Sequence, residues 1–351
     1  MGKCVHLNPK GLVTMKPSFK IVIPMAGLGS RMRPLTWNRP KPLLFLAGKT
    51  VLDHSLDQFS TLPDLKNAEY VFIISPNQGD MIQEHMQANH PDKKVHFVVQ
   101  ETMRGQSHAL ALAAEHFTGP MIVAFSDTLI ETDLEFLADE KADAVAWVKP
   151  MPDPRRFGVI ELDKKGLATR LIEKPKDVDN NLVVVGFYYF REGNALVKAI
   201  DEQITRGTSL KGEYFLIDAI NILIEKGAKI KAKNADVWLD AGIPEALLET
   251  NRYMLDHGRS QGSEISFPDG VEIIPPVSIP EGTILKSAVI GPHVTLGKGC
   301  ELENVIVKDS IIESGTHIKD MVIEGSLIGR HVVLEGRPEH FNIGDNSRVT
   351  R

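Results

Sequence analysis

A glycine-rich segment near the start of the chain holds the residues best placed for chemistry. A run of β-formers at residues 19–24 leads into a loop with Gly27 and Gly29, and Arg31 follows closely. Glycines let backbone N–H groups come close to a phosphate, because no Cβ intervenes. Lys41 supplies a second cation further along the segment. The pattern therefore predicts a triphosphate site at the carboxyl end of a first parallel strand.

Two other phosphate-binding motifs are excluded by single residues. A dinucleotide-binding Gly-x-Gly-x-x-Gly motif would need glycine or alanine at position 32, where Met32 stands. A P-loop whose Gly-Lys-Thr ends at Thr50 would need its first glycine at position 43, which is Leu43. What remains is a longer pattern around the glycine loop, with a plain glycine turn beside surface cations as the alternative.

The longer pattern is Gly-x-Gly-Ser-Arg-x-x-Pro-x-Thr, from Gly27 to Thr36, followed by Pro-Lys-Pro around Lys41. It resembles the signature of the sugar-1-phosphate nucleotidylyltransferases, which make nucleotide-diphosphate sugars. The resemblance implies that Arg31 and Lys41 are catalytic. It assigns nucleotide binding to four loop residues, Ala26, Gly27, Gly29 and Ser30.

A second stretch of the family's pattern comes after a later predicted strand. Gln100 is followed by Gly105, where the resemblance implies recognition of the nucleotide base. A glutamine side chain can hydrogen-bond the edge of a base, and a glycine leaves room for the ring and ribose. Without this order of motifs, Gln100 would be interpreted as a solvated loop residue.

Two aspartates are candidates for holding a divalent metal ion. Asp127 follows an apolar run at residues 121–125, and Asp240 lies in a Trp-x-Asp-x-Gly pattern that ends at Gly242. An aspartate just beyond a strand is otherwise often a helix cap or a turn residue. The resemblance implies that both carboxylates bind the metal. Two hard oxygen ligands together with substrate phosphates suit Mg²⁺, which is the predicted cofactor.

The residues expected to bind the sugar phosphate come later in the same domain. The pattern of the family matches at Gly158, Glu173, Lys174, Gly186 and Lys211. Glu173 resembles the residue that accepts hydrogen bonds from sugar hydroxyls, and the two lysines provide charge for a phosphate. An exposed, ion-paired turn is the alternative for Glu173 and Lys174. Many relatives have arginine where this chain has Lys211, so the bidentate geometry of a guanidinium is lost there.

Composition limits the class of protein. The chain has 351 residues, 42% hydrophobic and 25% charged, which is ordinary for a globular protein with one large and one smaller domain. Its net charge of −6 argues against a nucleic-acid surface. No apolar run is long enough for a transmembrane helix, and residues 1–19 lack the apolar core of a signal peptide. The sequence has only Cys4 and Cys300, so a reducing, cytoplasmic location is expected.

Up to residue 243, short aliphatic runs alternate with longer amphipathic segments. This order predicts a Rossmann-like α/β fold with a mixed, mostly parallel sheet, as in the nucleotide-diphospho-sugar transferases that the motifs resemble. Strands are predicted at residues 20–24, 70–75, 95–99, 121–125 and 144–148, and helices at 51–60, 79–89, 105–116, 214–226 and 245–257. Two more strands, at 158–163 and 182–189, are expected to extend the sheet in antiparallel fashion and to wall a second substrate.

From about Ser266 the aliphatic residues recur at near-hexad spacing. They are Ile279, Leu285, Ile290, Leu296, Leu302, Ile306, Ile312, Ile318, Ile323, Ile328 and Leu334. With glycines at the expected corners, the pattern resembles the hexapeptide repeats of a left-handed parallel β-helix, at roughly 18 residues per coil. An all-β meander is the alternative. The predicted domains are an N-terminal extension (1–18), a catalytic domain (19–243), a connector (244–265) and the β-helix with its tail (266–351).

Together the motifs predict Mg²⁺-assisted transfer of a nucleoside monophosphate from a triphosphate to a sugar-1-phosphate. The attacking phosphate is already anionic near neutral pH, because the second pKa of a phosphate monoester is about 6. No general base is therefore needed. The long form with a β-helix most resembles the glucose-1-phosphate thymidylyl- or uridylyltransferases. Mannose-1-phosphate with GTP, or N-acetylglucosamine-1-phosphate with UTP, are the alternative substrate pairs.

Two other functional classes are open to the same sequence. A non-catalytic homologue that binds nucleotide sugars should lack one of the two cations or two aspartates named above, and all four are present. An acyltransferase or bifunctional enzyme would use the β-helix, where His293, His317 and His331 are possible bases but are expected to face solvent. The β-helix is instead expected to pair subunits in a homo-oligomer. No nucleic-acid or membrane partner is expected.

Overall fold

The computed structural model describes residues 18–337, which divide into two compact units. One unit contains the chain up to Leu44 together with Thr50–Ile243, and the other contains Phe45–Lys49 together with the chain from Pro244 onwards. Residues 1–17 and 338–351 lie outside the described part, and with them almost all of the predicted N-terminal extension (1–18). Among residues 18–337, no helix has the length and apolar character needed to cross a membrane.

Strands and helices alternate up to residue 240, as the sequence predicts. The strands are β1 (Lys20–Pro24), β2 (Phe45–Leu46), β3 (Lys49–Thr50), β4 (Glu69–Ile74), β5 (Lys94–Val99), β6 (Met121–Ala124), β7 (Thr128–Glu131), β8 (Ala144–Pro150), β9 (Gly158–Leu162), β10 (Ala168–Glu173), β11 (Leu182–Phe190), β12 (Ile230–Asn234) and β13 (Val237–Asp240). The helices are α1 (Val51–Asp57), α2 (Gly79–Asn89), α3 (Gln106–Leu112), α4 (Gly193–Arg206), α5 (Leu216–Glu225) and α6 (Pro244–Met254).

Some predicted helix bounds are wrong. The helix predicted at 51–60 ends at Asp57, and the one predicted at 105–116 is interrupted after Leu112, before a 3₁₀ turn at Ala114–His116. A 3₁₀ turn presents side chains at nearly the same spacing as an α-helix over one turn, so hydrophobic periodicity does not separate the two. The helix α4 was not predicted.

The sheet of the first unit has nine strands. Its main order is β10-β9-β11-β6-β1-β4-β5, with β8 beside β11 and β12 beside β8. The central strands β6, β1, β4 and β5 are parallel neighbours. From β6 onwards, β11, β8, β9 and β10 are joined by antiparallel pairings. The predicted mostly parallel sheet with an antiparallel extension is thus confirmed.

The first strand shows why the central strands are continuous apolar runs. Successive side chains of a strand point to opposite faces, and Ile21 and Ile23 join one core cluster while Val22 joins the other. All three are fully buried, because helices and loops cover both faces of such a sheet. Burying each side chain contributes about 1.5–3 kcal/mol. The glycine loop therefore begins, at Pro24, from a rigid strand.

The second unit carries two stacked parallel sheets. Its strands are β14 (Val271–Ile273), β15 (Val277–Ser278), β16 (Ile284–Ile290), β17 (Val294–Leu296), β18 (Glu301–Lys308), β19 (Ile311–Ile312), β20 (His317–Glu324), β21 (Leu327–Ile328) and β22 (Val333–Glu335). One sheet has the order β14-β16-β18-β20-β22 and the other β15-β17-β19-β21. Neighbouring strands in both are parallel, which confirms the predicted β-helix.

The coil length differs from the prediction, and one aliphatic residue of the pattern is exposed. Leu285 pairs with Leu302, and Leu302 pairs with Ile318, so a coil takes 17 or 16 residues rather than 18. Ile306, one of the aliphatic residues of the near-hexad pattern, is 49% exposed, and its two neighbours in sequence are buried instead. The cause is Asn304, which lies in the left-handed region at φ 53°. It turns the strand at a corner and shifts the alternation that follows.

Candidate functional site

One cavity of the first unit gathers nearly all the predicted site residues. It has a volume of about 800 Å³, a size typical of small-molecule sites. Segments that follow β1, β5 and β6 line it, as expected for ligands at the carboxyl ends of parallel strands. The predicted residues in its lining are Ala26, Gly27, Gly29, Ser30, Arg31, Lys41, Gln100, Gly105, Asp127, Gly158, Glu173, Lys174, Gly186 and Asp240.

Glycine is explained in different ways at the two positions of the loop, Gly27 and Gly29. Gly29 has a φ of +59°, and a Cβ there would lie 3.2 Å from Cγ2 of Thr36. The Thr36 hydroxyl donates a 2.8 Å hydrogen bond to the Gly29 carbonyl, which closes the loop. Gly27 is not in the left-handed region, and a Cβ there would meet no described atom within 4 Å. Packing does not require glycine at position 27, whereas a ligand held against the backbone would.

The two predicted metal-binding aspartates are brought together by strand pairing. β13 pairs with β7 so that Asp240 lies opposite Thr128. The Ala241 N–H then donates a 2.9 Å hydrogen bond to the Asp127 carbonyl. Asp127 is ion-paired with Lys41, whose ammonium group is itself mostly buried. Two distant parts of the sequence thereby place two carboxylates and a cation in one corner of the cavity.

Gly242 shows how tightly these groups converge. A Cβ at Gly242 would lie 2.8 Å from Oδ1 of Asp240, 3.2 Å from Oδ2 of Asp127 and 3.6 Å from an Arg31 guanidinium nitrogen. The two carboxylate oxygens are therefore at most 6.0 Å apart, the sum of 2.8 and 3.2 Å. A side chain at this position would fill the space between them.

The charges of this corner suit a divalent cation. Burial and the neighbouring Asp127 carboxylate raise the pKa of Asp240. Burial also opposes ionisation of Asp127, but the adjacent Lys41 ammonium outweighs it and lowers the pKa of that carboxyl. Two hard oxygen donors that repel each other across a small gap are ligands that Mg²⁺ prefers. The donor set of Asp127 and Asp240 therefore fits the predicted metal.

Gln100 is buried and its orientation is fixed. Its amide nitrogen donates to the Gly105 carbonyl at 3.4 Å and to Nδ1 of His108 at 3.2 Å. Burial and the charge of Arg104 lower the pKa of His108, so its ring is neutral at pH 7 and Nδ1 can accept. A carbonyl can only accept, so the amide group must turn its nitrogen that way. The amide oxygen of Gln100 is left as the group it can offer to a ligand.

Another part of the cavity lining is formed around Glu173, the last residue of β10. Burial raises the pKa of Glu173, and the nearby Lys174 opposes this shift. The Lys174 ammonium lies 3.5 Å from a Glu173 carboxylate oxygen and 4.6 Å from the ring centre of Phe215. At Gly158 a Cβ would lie 2.1 Å from Cδ1 of Ile217 and 3.3 Å from Oε2 of Glu173. Glycine at this position is therefore required by packing beside the carboxylate.

Comparison with known proteins identifies the family. The model of the family described as nucleotidyl transferase matches residues 20–257. The chain belongs to the nucleotidyl transferase family. The match takes in the complete glycine loop, Asp127 directly before β7, and Asp240 at the end of β13.

Individual relatives agree with this family. The bifunctional protein GlmU of Methanocaldococcus jannaschii is 37% identical over 238 residues, which cover 67% of this chain and 54% of that protein. This chain thus spans about half the length of that relative. Glucose-1-phosphate thymidylyltransferase of Streptomyces griseus is 28% identical over 360 residues, 94% of this chain and 99% of that protein.

A solved structure supports the fold. The nucleoside-diphosphate-sugar pyrophosphorylase from Vibrio cholerae has a TM-score of 0.57 to this nucleotidyl transferase at 21% identity, covering 66% of this chain and 99% of that one. At this identity the likeness concerns the fold alone.

Lys211 is the predicted site residue that the structure places elsewhere. It lies exposed in a turn with a φ of 53° and is not among the described residues that line the cavity. Glu213, two residues later, does line it. The sequence shows that the Lys-Gly-Glu turn exists but does not show which of its side chains turns inwards.

Several lining residues were missed. The rings of Phe157 and Trp238 meet edge to face at 5.1 Å, and both line the cavity together with Tyr188 and Gly242. Trp238 and Gly242 stand in the Trp-x-Asp-x-Gly pattern, so a signal for them was present. Tyr188 lies inside an apolar strand, and its sequence context carries no sign of the cavity.

Proposed function

We propose that this chain transfers a nucleoside monophosphate from a nucleoside triphosphate to a hexose-1-phosphate, releasing pyrophosphate. The observation that carries the proposal is a single cavity with three chemically distinct parts. The glycine loop forms the first part, the Lys41, Asp127 and Asp240 group with the neighbouring Arg31 guanidinium forms the second, and Glu173 with Lys174 forms the third. These parts match a triphosphate, the reacting phosphates and a polyhydroxylated sugar.

The residues of the chain act mainly by holding two anions in line. Lys41 can exchange the Asp127 carboxylate for an α-phosphate oxygen, because both are anionic acceptors for its ammonium group. Arg31 lies beside the aspartate pair, where its guanidinium can bind the departing pyrophosphate in bidentate fashion. Mg²⁺ held by Asp127 and Asp240 would neutralise negative charge on the phosphates. Orientation and charge neutralisation of this kind suffice for phosphoryl chemistry.

Glu173, in the cavity lining, supports the binding of a sugar. A carboxylate is an acceptor with two oxygens, so it can bind two adjacent hydroxyl groups. Glu213 adds a second acidic side chain to the lining. The ammonium group of Lys174 supplies positive charge beside Glu173, and Lys211 is not needed for this role.

The orientation of Gln100 supports a uracil or thymine base, and hence UTP or dTTP. Its amide oxygen is an acceptor, which matches the N3–H donor of those bases and equally the N1–H donor of guanine, so the choice of UTP or dTTP over GTP follows the names of the relatives. Cytosine presents a lone pair at N3, so that ring position would face the oxygen without a hydrogen bond, and only its exocyclic amino group could donate. An unmade hydrogen bond at a buried group costs about 1–3 kcal/mol. Glucose-1-phosphate is proposed as the sugar substrate, in keeping with the name of the full-length Streptomyces griseus relative.

The test is pyrophosphate release by purified protein with Mg²⁺, crossing UTP, dTTP, GTP and CTP with glucose-, mannose- and N-acetylglucosamine-1-phosphate. Release that needs both a triphosphate and a sugar phosphate supports the reaction and identifies the pair. The best signal is expected with UTP or dTTP and glucose-1-phosphate. If no combination releases pyrophosphate, although the protein is folded and still binds a nucleotide sugar, a regulatory homologue would be favoured instead.

We further propose that the second unit joins copies of the chain. Ile306 and Val322 are neighbours in the parallel register of β18 and β20 and are 49% and 75% exposed. Light scattering on the full chain should give a mass above that of a monomer, and Val322→Lys should lower it. A monomeric wild type would contradict this part of the proposal.

A further inference from the structure

Three side chains with metal-binding atoms meet between two helices of the first unit. Asp53 lies in the first turn of α1, His85 lies in α2, and His90 directly follows α2. Nε2 of His85 and Nε2 of His90 are each 2.8 Å from Oδ1 of Asp53. The three donor atoms all lie within 4.8 Å of one another. None of these residues lines the catalytic cavity.

We propose that Asp53, His85 and His90 form a binding site for Zn²⁺ or a chemically similar transition-metal ion. Two imidazoles and one carboxylate select borderline metals of this kind over Mg²⁺, and water can take the fourth position. The two histidines are separated by four residues, within the spacing of three to five that is common for histidine pairs on zinc.

The observed spacing needs little adjustment to hold such an ion. Zinc bonds of about 2.0–2.2 Å at tetrahedral angles place neighbouring donor atoms about 3.3–3.6 Å apart. The two contacts of 2.8 Å would therefore open by about 0.5–0.8 Å. The side chains of Asp53, His85 and His90 are 16%, 15% and 22% exposed, so an ion can enter from solvent without unfolding of the helices.

Asp53 is held ready as a charged ligand. Its second oxygen, Oδ2, accepts from the backbone N–H of Thr50 at 3.1 Å and from the Thr50 hydroxyl at 2.7 Å. This capping box fixes the carboxylate and leaves Oδ1 facing the histidines. Burial raises the pKa of Asp53, but the hydrogen bonds from His85, His90 and Thr50 outweigh it and keep the carboxyl ionised well below its ordinary range.

Asn89 provides an outer partner for His85. Nδ1 of His85 lies 3.3 Å from the Asn89 amide. When Nε2 binds a metal, the neutral imidazole carries its remaining proton on Nδ1, and the Nε2 proton goes to that atom or to solvent. The Asn89 amide must then turn its oxygen towards Nδ1 to accept. Carbonyl acceptors in this position commonly orient metal-bound histidines.

A metal at this site would fasten the beginning of α1 to the end of α2. The N–H of Val51, the first residue of α1, donates a 2.9 Å hydrogen bond to the carbonyl of Leu44. Leu44 caps the short 3₁₀ turn that begins with Lys41. The metal would thus stiffen the support of the segment that carries a proposed catalytic lysine.

The test is calorimetric titration of ZnCl₂ into the full-length, chelator-treated protein, with visible absorption of the Co²⁺ form as a second readout. Wild type should bind one ion with the intense absorption bands of a tetrahedral Co²⁺ site. His85→Gln and His90→Gln should each weaken binding at least about tenfold, since even outer partners of metal ligands are worth 10- to 100-fold. His96→Gln is the matched control, because His96 also contacts a carboxylate, Glu69, at 3.1 Å but lies outside the cluster.

Saturable binding that is lost in both cluster variants and kept in the control supports the site. Absence of saturable binding by wild type, or binding that survives both substitutions, would overturn it. If either histidine variant fails to fold, Asn89→Ala replaces it, because it leaves all three ligands in place. Asn89→Ala should then weaken binding about tenfold, and unchanged affinity would count against the proposal.

Discussion

Gly27→Ala separates ligand binding from folding at the glycine loop. A methyl group there would meet no described atom of the protein within 4 Å, and the backbone is not left-handed. The substitution should therefore leave the fold intact. A glycine-to-alanine change at a compatible position stabilises a protein by about 0.4–1 kcal/mol, because it restricts the unfolded chain.

The same methyl group should obstruct a phosphate held against the loop backbone. A hydrogen bond to a charged group contributes about 1.5–3 kcal/mol. Each 1.4 kcal/mol corresponds to about a tenfold change in affinity. Loss of one N–H contact to the triphosphate should raise the KM for the nucleotide about 10- to 150-fold. The KM for the sugar phosphate should change much less, since Glu173 and its neighbours are unaffected.

The assay combines steady-state kinetics in both substrates with thermal denaturation. Gly29→Ala is the matched control in the same loop. Its φ of +59° and the 3.2 Å approach to Thr36 predict a loss of stability of about 1–2 kcal/mol from left-handed strain. An unchanged nucleotide KM in Gly27→Ala would refute phosphate binding by this loop, and a clear loss of stability would refute the account of its packing.

Three further substitutions test other parts of the first unit. Lys41→Ala should lower kcat about 10²- to 10³-fold with an unchanged circular dichroism spectrum; near-normal turnover would remove Lys41 from catalysis. In the presence of a chelator, Asp240→Asn should melt at a higher temperature than wild type, because it removes one of two buried like charges while Oδ1 still accepts from Gly242; a lower melting temperature would contradict the proposed repulsion. The hydrogen bond from Lys20 lowers the pKa of Glu69 from 4.5 to about 2, so its stabilisation is complete above pH 4.5 and is lost as the pH falls through about 2. Glu69→Gln should cost about 1 kcal/mol at pH 7, the scale of a partly exposed pair, and clearly less near pH 2. Urea unfolding at both pH values would show an equal cost if the pair contributed nothing.

Local patterns predicted the fold where a segment is decided by its own residues. β1 and α2 begin and end where hydrophobic periodicity placed them, because both carry uninterrupted patterns with clear breaks at their ends. In the second unit the repeat revealed the β-helix. The repeat pattern did not show that Ile306 is exposed, because the left-handed backbone of Asn304 shifts the alternation of buried and exposed residues after it. Asparagine at such a corner is a weaker sequence signal than glycine.

The candidate site was predictable to the same extent. The glycine loop is contiguous, so its type and spacing could be interpreted without knowledge of the fold. Proximity of Asp127 and Asp240 depends on the pairing of β7 with β13, which no local pattern encodes. The metal-binding cluster of Asp53, His85 and His90 depends on how α1 packs beside α2, and its histidine pair was not singled out in the sequence. Lys211 is the opposite case: its residue type and sequence context suggested phosphate binding, but it lies exposed in a turn and is not part of the described cavity lining.

The most direct test of nucleotidyl transfer is to follow the phosphorus atoms of the triphosphate. UTP or dTTP labelled at the α-position or at the γ-position is incubated with glucose-1-phosphate, Mg²⁺ and the protein, and the products are separated. Nucleotidyl transfer predicts that the α-label appears in the nucleotide-diphosphate sugar and the γ-label in pyrophosphate. A γ-label found on the sugar or in inorganic phosphate would contradict the account, because the bond broken would then be the terminal one.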